Sequence, residues 1–348
     1  MRMVRESLSH GSHPVAGLRT TGAVRHAAGM RLALSLSLSL SIVAAACRPP
    51  APRCPPGAPA AAAPAAIAPA APTSPLTAER RAWWESVRAA KAPPAGTAAA
   101  TLLPELEAML AATDPTVRDG LGYEVLAAWL QAPAILDDAA ARGLRDRLVA
   151  RTAAPIVAGD AVFARSFAAL VLSVVAAREV AHPAWSAAEL DAQIAAAVAY
   201  AGRETDLRGY TGAAGWAHAA AHTADWVKFL ARHPALTRAQ ATRLLGAITA
   251  LAARAHGARF SHGEDERMAA AVRAVARRDL LDDAALDAWL AAVAAPLVAG
   301  WPDPFDPLVY ATQRNARDLL VSCFVALSFD DSPGAARALA RLTAAMKA

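Results

Sequence analysis

The chain has 348 residues, of which 55% are hydrophobic, 19% charged and 5% aromatic. That length allows one or two domains of about 150 residues, and the low charge with abundant Ala and Leu excludes a disordered or fibrous chain. The formal charge of +5 resides in the leader: residues 1–76 carry +6 and the rest −1, which argues against a nucleic-acid partner for the body.

Residues 1–29 fit no export signal and read as a mis-called N-terminal extension, with the start at Met30. From there Arg31, an apolar run over 32–43 and small residues before Cys47 compose an export signal over 30–46, its apolar core being short for a transmembrane span. The Ala44-Ala45-Ala46-Cys47 ending resembles a bacterial lipobox, which predicts acylation of Cys47 and anchorage at a membrane surface by several acyl chains. Arg48 stands where an Asp would favour inner-membrane retention, so the expected location is the cell envelope, at the outer membrane in a Gram-negative cell. Residues 47–76 form a tether, with ten of the 24 prolines between 48 and 76 interleaved with Ala, a composition that stays extended. Cys54 and Cys323 are the one pair left by a lipidated Cys47; a free, buried Cys323 is the expectation.

The body, 77–348, reads as a single all-helical domain. Asp114-Pro115 is a cap followed by a proline, leading into GLGYEVLAAWL. Ser186-Ala-Ala-Glu189 and Thr237-Arg-Ala-Gln240 are capping boxes, and Ser332-Pro333 repeats the cap-then-proline device. Breakers at Pro133, Pro155, Pro183, Pro234 and Trp301-Pro-Asp-Pro304 divide the chain into about a dozen helices. Apolar helices begin at Gly122, Arg165, Gly215, Asp265 and Asn315, 43 to 50 residues apart, without self-similar sequences. The spacing suits helical pairs stacked as an α-solenoid or α/α superhelix; a closed bundle or toroid is the competing architecture.

One polar segment stands out, from Glu204 to Leu230. Asp206, Arg208 and Tyr210 fall in a Gly-broken loop, and a helix predicted to begin between Gly212 and Trp216 carries His218, His222 and Asp225 on one face. Two imidazoles one turn apart with a carboxylate can offer three ligands to zinc or another divalent transition metal. Alternatively Asp225 orients His222 as a proton acceptor, or the histidines, Asp225 and Arg208 satisfy one another within a helical core. The HxxxH spacing lacks the Glu of a zinc-protease HExxH. Glu264 and Glu266 read as carboxylates complementing a helix N-terminus, and Arg165, Ser166 and Asn315 as cross-links between helices. Trp83, Trp84, Trp129 and Trp289 read as core, while Trp216 and Trp226 flank the histidines; His256 and His262 bracket a loop too distant to place.

At these residues the chain resembles a bacterial family, domain of unknown function 2785. The resemblance rests on the RGY loop (Arg208, Gly209, Tyr210), the GWAHxxAHxxD segment (Gly215 to Asp225), the DER helix start (Asp265, Glu266, Arg267), FxRSF (Phe163 to Phe167) and the Asn315-bearing late helix, over roughly residues 78–345. Ser322-Cys323-Phe324 departs from the family's more aromatic pattern. The resemblance implies an all-α, HEAT-like stack of helical pairs and no specific activity. It adds weight to Arg208, Tyr210, His218, His222, Asp225, Asp265 and Arg267 as one cluster, with Trp216 and Asn315 beside it. Two functions remain open: a tethered module binding a protein, glycan or small molecule, and a hydrolase, metal-dependent or acid–base, using His218, His222 and Asp225.

Overall fold

The computed structural model describes residues 76–253 and 258–347, which lie within one compact unit, Ala68–Ala348. The extension, export signal, Cys47, Cys54, nearly all of the tether and His256 lie outside the described residues. Twelve α-helices occur among the described residues. The first part holds α1 (Ala78–Ala90), α2 (Ala99–Met109), a π-helical segment (Thr116–Tyr123), α3 (Glu124–Leu130) and α4 (Asp138–Ala153). Then follow α5 (Ala161–Ala181), α6 (Ala187–Arg203), α7 (Ala219–Ala231) and α8 (Arg238–Ala253). The chain ends in α9 (Glu264–Ala276), α10 (Asp283–Val298), α11 (Pro307–Ser328) and α12 (Pro333–Lys347).

The caps decide where helices start. Ser186 and Glu189 form the complete capping box of α6, and Thr237 and Gln240 exchange the same two bonds before α8. Asp137 and Asp282 cap α4 and α10 through their side chains. With the Ser332–Pro333 start of α12, these positions recur about every fifty residues. The Ser332 hydroxyl itself makes no cap bond, and the Ser332 N–H donates instead to Asp330 Oδ1 at 3.1 Å.

That period is the period of the architecture. α4, α6, α8, α10 and α12 adjoin in one layer, and α5, α7, α9 and α11 in a second, with the core between them. Neighbours in the second layer run parallel, because Ser166 near the start of α5 meets His222 near the start of α7 while Glu179 near the end of α5 meets His233 just past α7. The first layer is laced by ion pairs: Arg145–Glu189 at 3.0 Å, Arg243–Asp191 at 2.6 Å, Arg238–Asp282 at 2.5 Å, and Arg341–Asp287. No extensive contact joins α1 or α2 to α11 or α12 among the described residues, so the stack is open and not a closed toroid. α5 is apolar enough over 21 residues to cross a membrane by composition, but 78% of its most apolar stretch is buried as the centre of the stack.

The predicted helix GLGYEVLAAWL is divided: its first part belongs to the π-helical segment and only α3 is regular. Small residues permit this, since a Cβ on Gly122 would stand 3.0 Å from the Cβ of Met109. Trp84 and Trp129 are fully buried and Trp289 nearly so, as expected of core. Trp226 is also wholly buried and takes no part in the site. Cys323 is a free, buried thiol.

Candidate functional site

The segment before α7 folds as a hairpin and not as the predicted helix. Residues 208–210 and 216–218 run antiparallel about a short 3-10 turn, Gly212–Ala214. The Thr211 N–H donates to Gly215 O (2.8 Å), that of Ala217 to Gly209 O and that of His218 to Arg208 O (2.9 Å each). Gly215 turns the chain at φ +72°, a left-handed conformation that favours glycine. Gly209 serves a different need: a Cβ there would stand 2.4 Å from His262 Nδ1 and 2.8 Å from Glu264 Oε1. The hairpin thereby lies directly against the start of α9.

His218 is the residue before α7, at φ +52°, so it does not share the helical face of His222 and Asp225. Its ring stacks on Trp216 (centroids 4.7 Å apart), and Nε2 faces His262 O at 3.1 Å and Glu264 Oε1 at 3.4 Å. Glu264, read from sequence as a simple helix-start carboxylate, is buried here and accepts the His262 N–H at 2.8 Å. Burial works to raise its carboxyl, but His218 and the backbone N–H groups prevail and hold it below the ordinary value.

His222 lies on the next turn, 5.8 Å from His218 between ring centroids and edge-on to Phe167 at 5.0 Å. Its Nδ1 is 2.7 Å from Ser166 Oγ, and that hydroxyl donates to Ala217 O. The hydroxyl oxygen therefore accepts from Nδ1–H, which fixes the tautomer and leaves Nε2 as an acceptor with no protein partner among the described residues. Burial, then the nearby His218 and Arg267 charges, hold His222 well below 6.5, so it is neutral near pH 7.

A pH dependence follows. The unfolded chain takes up a proton at His222 below about pH 6.5 while the folded chain does not, so this contribution to stability is present above 6.5 and lost as pH falls. Wild type should lose up to about 1.4 kcal/mol per pH unit below that point relative to His222→Asn. Urea unfolding of both proteins at pH 7.5, 6.0 and 5.5 tests it; parallel curves would refute it.

Asp225 does not orient either histidine. Its Oδ1 accepts from Lys228 Nζ at 2.6 Å and its Oδ2 from Arg267 Nη1 at 2.5 Å. The expected metal set of His218, His222 and Asp225 is thus not assembled: His218 precedes the helix and both Asp225 oxygens face cations. Among the described residues no three His, Cys, Asp or Glu side chains group to hold a metal ion.

The other predicted residues divide. Tyr210 and Trp216 pack edge-to-face at 5.0 Å on the outer side of the hairpin, 54% and 39% exposed. Arg267 closes the side beyond His222. Arg208 turns away, gripping Asp206 with both nitrogens (2.8 and 2.7 Å), so only its carbonyl serves the cluster. Asp265 accepts from Ser322 Oγ at 2.5 Å and ties α9 to α11. Asn315 is fully buried and clasps the chain before α9 through Phe260 N (2.9 Å) and Ala258 O (3.1 Å).

Sequence reasoning did not find Glu264, His262, Tyr123 or Arg118 as members of the site. Tyr123 ends the π-helical segment close enough to Asp225 and Arg267 to feel both charges; burial and Asp225 push its phenol up to about 12. Arg118, fully buried, donates to Ala112 O at 3.0 Å and to Ala214 O at 2.9 Å, pinning the hairpin turn to that segment. A π-helical stretch beside a polar cluster is a recurrent mark of functional sites. The result is an exposed aromatic pair, Tyr210 and Trp216, with His218 stacked on Trp216, His262 edge-on to it at 5.5 Å, and His222 buried on the next turn within reach of the Arg267 charge.

Residues 157–324 match the family described as "Protein of unknown function (DUF2785)". The match is shorter than the 78–345 expected from motifs, yet it contains every motif that carried the resemblance. No curated protein and no solved structure matches the chain.

Proposed function

For a chain with a DUF2785 segment over residues 157–324, we propose a tethered binding module whose surface at Tyr210 and Trp216, backed by His218 and His222, takes a small glycan-like ligand. The observation that carries this is the exposed Tyr210–Trp216 pair on a hairpin fixed from behind by Arg118, Glu264 and His262. Rigid aromatic faces beside free acceptors and a cation suit a ligand with one apolar face and a hydroxylated edge. His222 Nε2 supplies an acceptor and Arg267 donors. The lipobox-like Ala44–Cys47 ending supports a lipid anchor at the cell envelope.

Binding is favoured over hydrolysis by the wiring of the site. The Ser166 proton goes to a backbone carbonyl, and Asp225 is engaged by Lys228 and Arg267, so neither completes an acid–base relay with His222. A glycan array probed with the protein should give discrete positives that vanish in Trp216→Ala and weaken at least tenfold in Tyr210→Ala, with melting temperature shifted by less than about 2 °C. Retained binding in Trp216→Ala, or an array without positives, would overturn the reading. Turnover of a bound glycan, abolished by His222→Asn, would restore the hydrolase reading.

A further inference from the structure

A second charged cluster lies away from the hairpin and its histidines, at the far ends of α7, α9 and α11. Four arginines meet there: Arg232 just after α7, Arg273 on the last turn of α9, and Arg277 and Arg278 directly after it. One carboxylate faces them. Asp330 is nearly buried, and its Oδ2 stands 3.8 Å from Arg273 Nε and 3.6 Å from Arg277 Nε, too far for hydrogen bonds; that oxygen has no hydrogen-bond partner. The other nearby acids are engaged or turned away: Asp279 pairs with Arg337 at 3.4 Å, Asp225 holds Lys228 and Arg267, and Asp331 is exposed without an ion pair among the described residues.

Two of the guanidiniums are held by their surroundings. Arg278 donates to Pro234 O at 2.9 Å and its Nε is buried without a partner. Arg232 lies over the Phe229 ring at 4.9 Å and makes no ion pair or side-chain hydrogen bond among the described residues. Burial and repulsion by Arg273 and Arg277 disfavour its charged form. Helix C-termini, whose dipoles attract cations, gather these side chains but do not neutralise four of them. An anion with several acceptor oxygens would, because planar guanidinium forks match phosphate oxygens two at a time.

We propose that Arg232, Arg273, Arg277 and Arg278 form a binding site for a phosphate-type oxyanion, either free phosphate or the phosphate of a lipid headgroup. The site is independent of the His218–His222 cluster, on the opposite ends of the same helices.

Calorimetric titration of the full-length protein at fixed ionic strength tests it, with inorganic phosphate in one arm and monomeric dihexanoyl-phosphatidylglycerol in the other. Saturable one-site binding is expected in at least one arm, weakened at least tenfold in Arg277→Gln, whose side chain is 60% exposed, with an unchanged melting temperature. Arg232→Met should weaken it as much, with an unchanged circular dichroism spectrum. Phosphate binding alone assigns free phosphate, and tighter binding of the lipid assigns a headgroup. No saturable binding in either arm, or binding equal in wild type and Arg277→Gln, would overturn the proposal.

Discussion

Arg165→Met is expected to lower stability by about 3–5 kcal/mol, which corresponds to roughly 10 °C in melting temperature for a body of this size. Arg165 and Glu204 are 4% and 0% exposed and meet through two bonds, Nε to Oε2 at 2.7 Å and Nη2 to Oε1 at 3.1 Å. The same carboxylate accepts from the Tyr200 hydroxyl (3.1 Å) and from the N–H groups of Thr205 and Asp206 (2.9 and 3.0 Å). Removing the guanidinium therefore leaves a buried anion with neutral donors alone, and frees the carbonyls of Val157 and Ala161 that Arg165 also serves. Adding Glu204→Gln to Arg165→Met should recover part of the loss, since the stranded charge is gone. A denaturant double-mutant cycle reads the coupling; a coupling below about 0.5 kcal/mol would show that burial, not pairing, sets the cost.

Arg118→Met should cost about 4 kcal/mol and also loosen the hairpin. This guanidinium joins three parts of the molecule: the end of α2 through Ala112 O, the hairpin turn through Ala214 O, and α5 through the rings of Phe163 and Phe167 at 4.1 and 4.7 Å. Asp119 stands 2.8 Å from its Nε but is misaligned for a hydrogen bond, so the carbonyls are its principal partners. Without Arg118 both carbonyls lose a buried donor and the turn loses its only side-chain tether to the π-helical segment among the described residues. Amide exchange over residues 209–218 should accelerate in the variant while α9 and α11 keep their protection. Arg118→Lys, with a charge but no fork, should fall between. Unchanged exchange in the hairpin would show that Glu264 and His262 alone hold it.

The helical class, the cap positions and the fifty-residue spacing were legible because they depend on local chemistry. Ser186 with Glu189 and Thr237 with Gln240 are three residues apart, and both boxes form as read. Arg165 and Asn315 announced themselves as polar interruptions of apolar runs, and both prove to be cross-links. The candidate site was only half legible. A helical wheel placed His218, His222 and Asp225 on one face, but Gly209, Gly212 and Gly215 turn the chain back on itself, and α7 begins only at Ala219. Glycines at 209, 212 and 215 were the available signal, since three of them in seven residues before an apolar helix favour a tight reversal. Glu264 and Arg118 carried no signal of their own: 46 residues separate Glu264 from His218, and 96 separate Arg118 from Ala214. Only the lateral packing of neighbouring repeats brings such residues together.

The open, two-layered arrangement has a consequence for how the chain assembles. Each helix touches chiefly those one or two places away in sequence, so contacts close short loops and the chain can zip from a local nucleus. The broadest contact, between α5 and α7, lies centrally and is the natural nucleus, with growth outward to both ends. Unfolding runs in reverse, as fraying. The two ends should open most readily, α1 before α12 because it packs on fewer neighbours, and the His218–His222 cluster, beside the nucleus, should be among the last places to lose its shape.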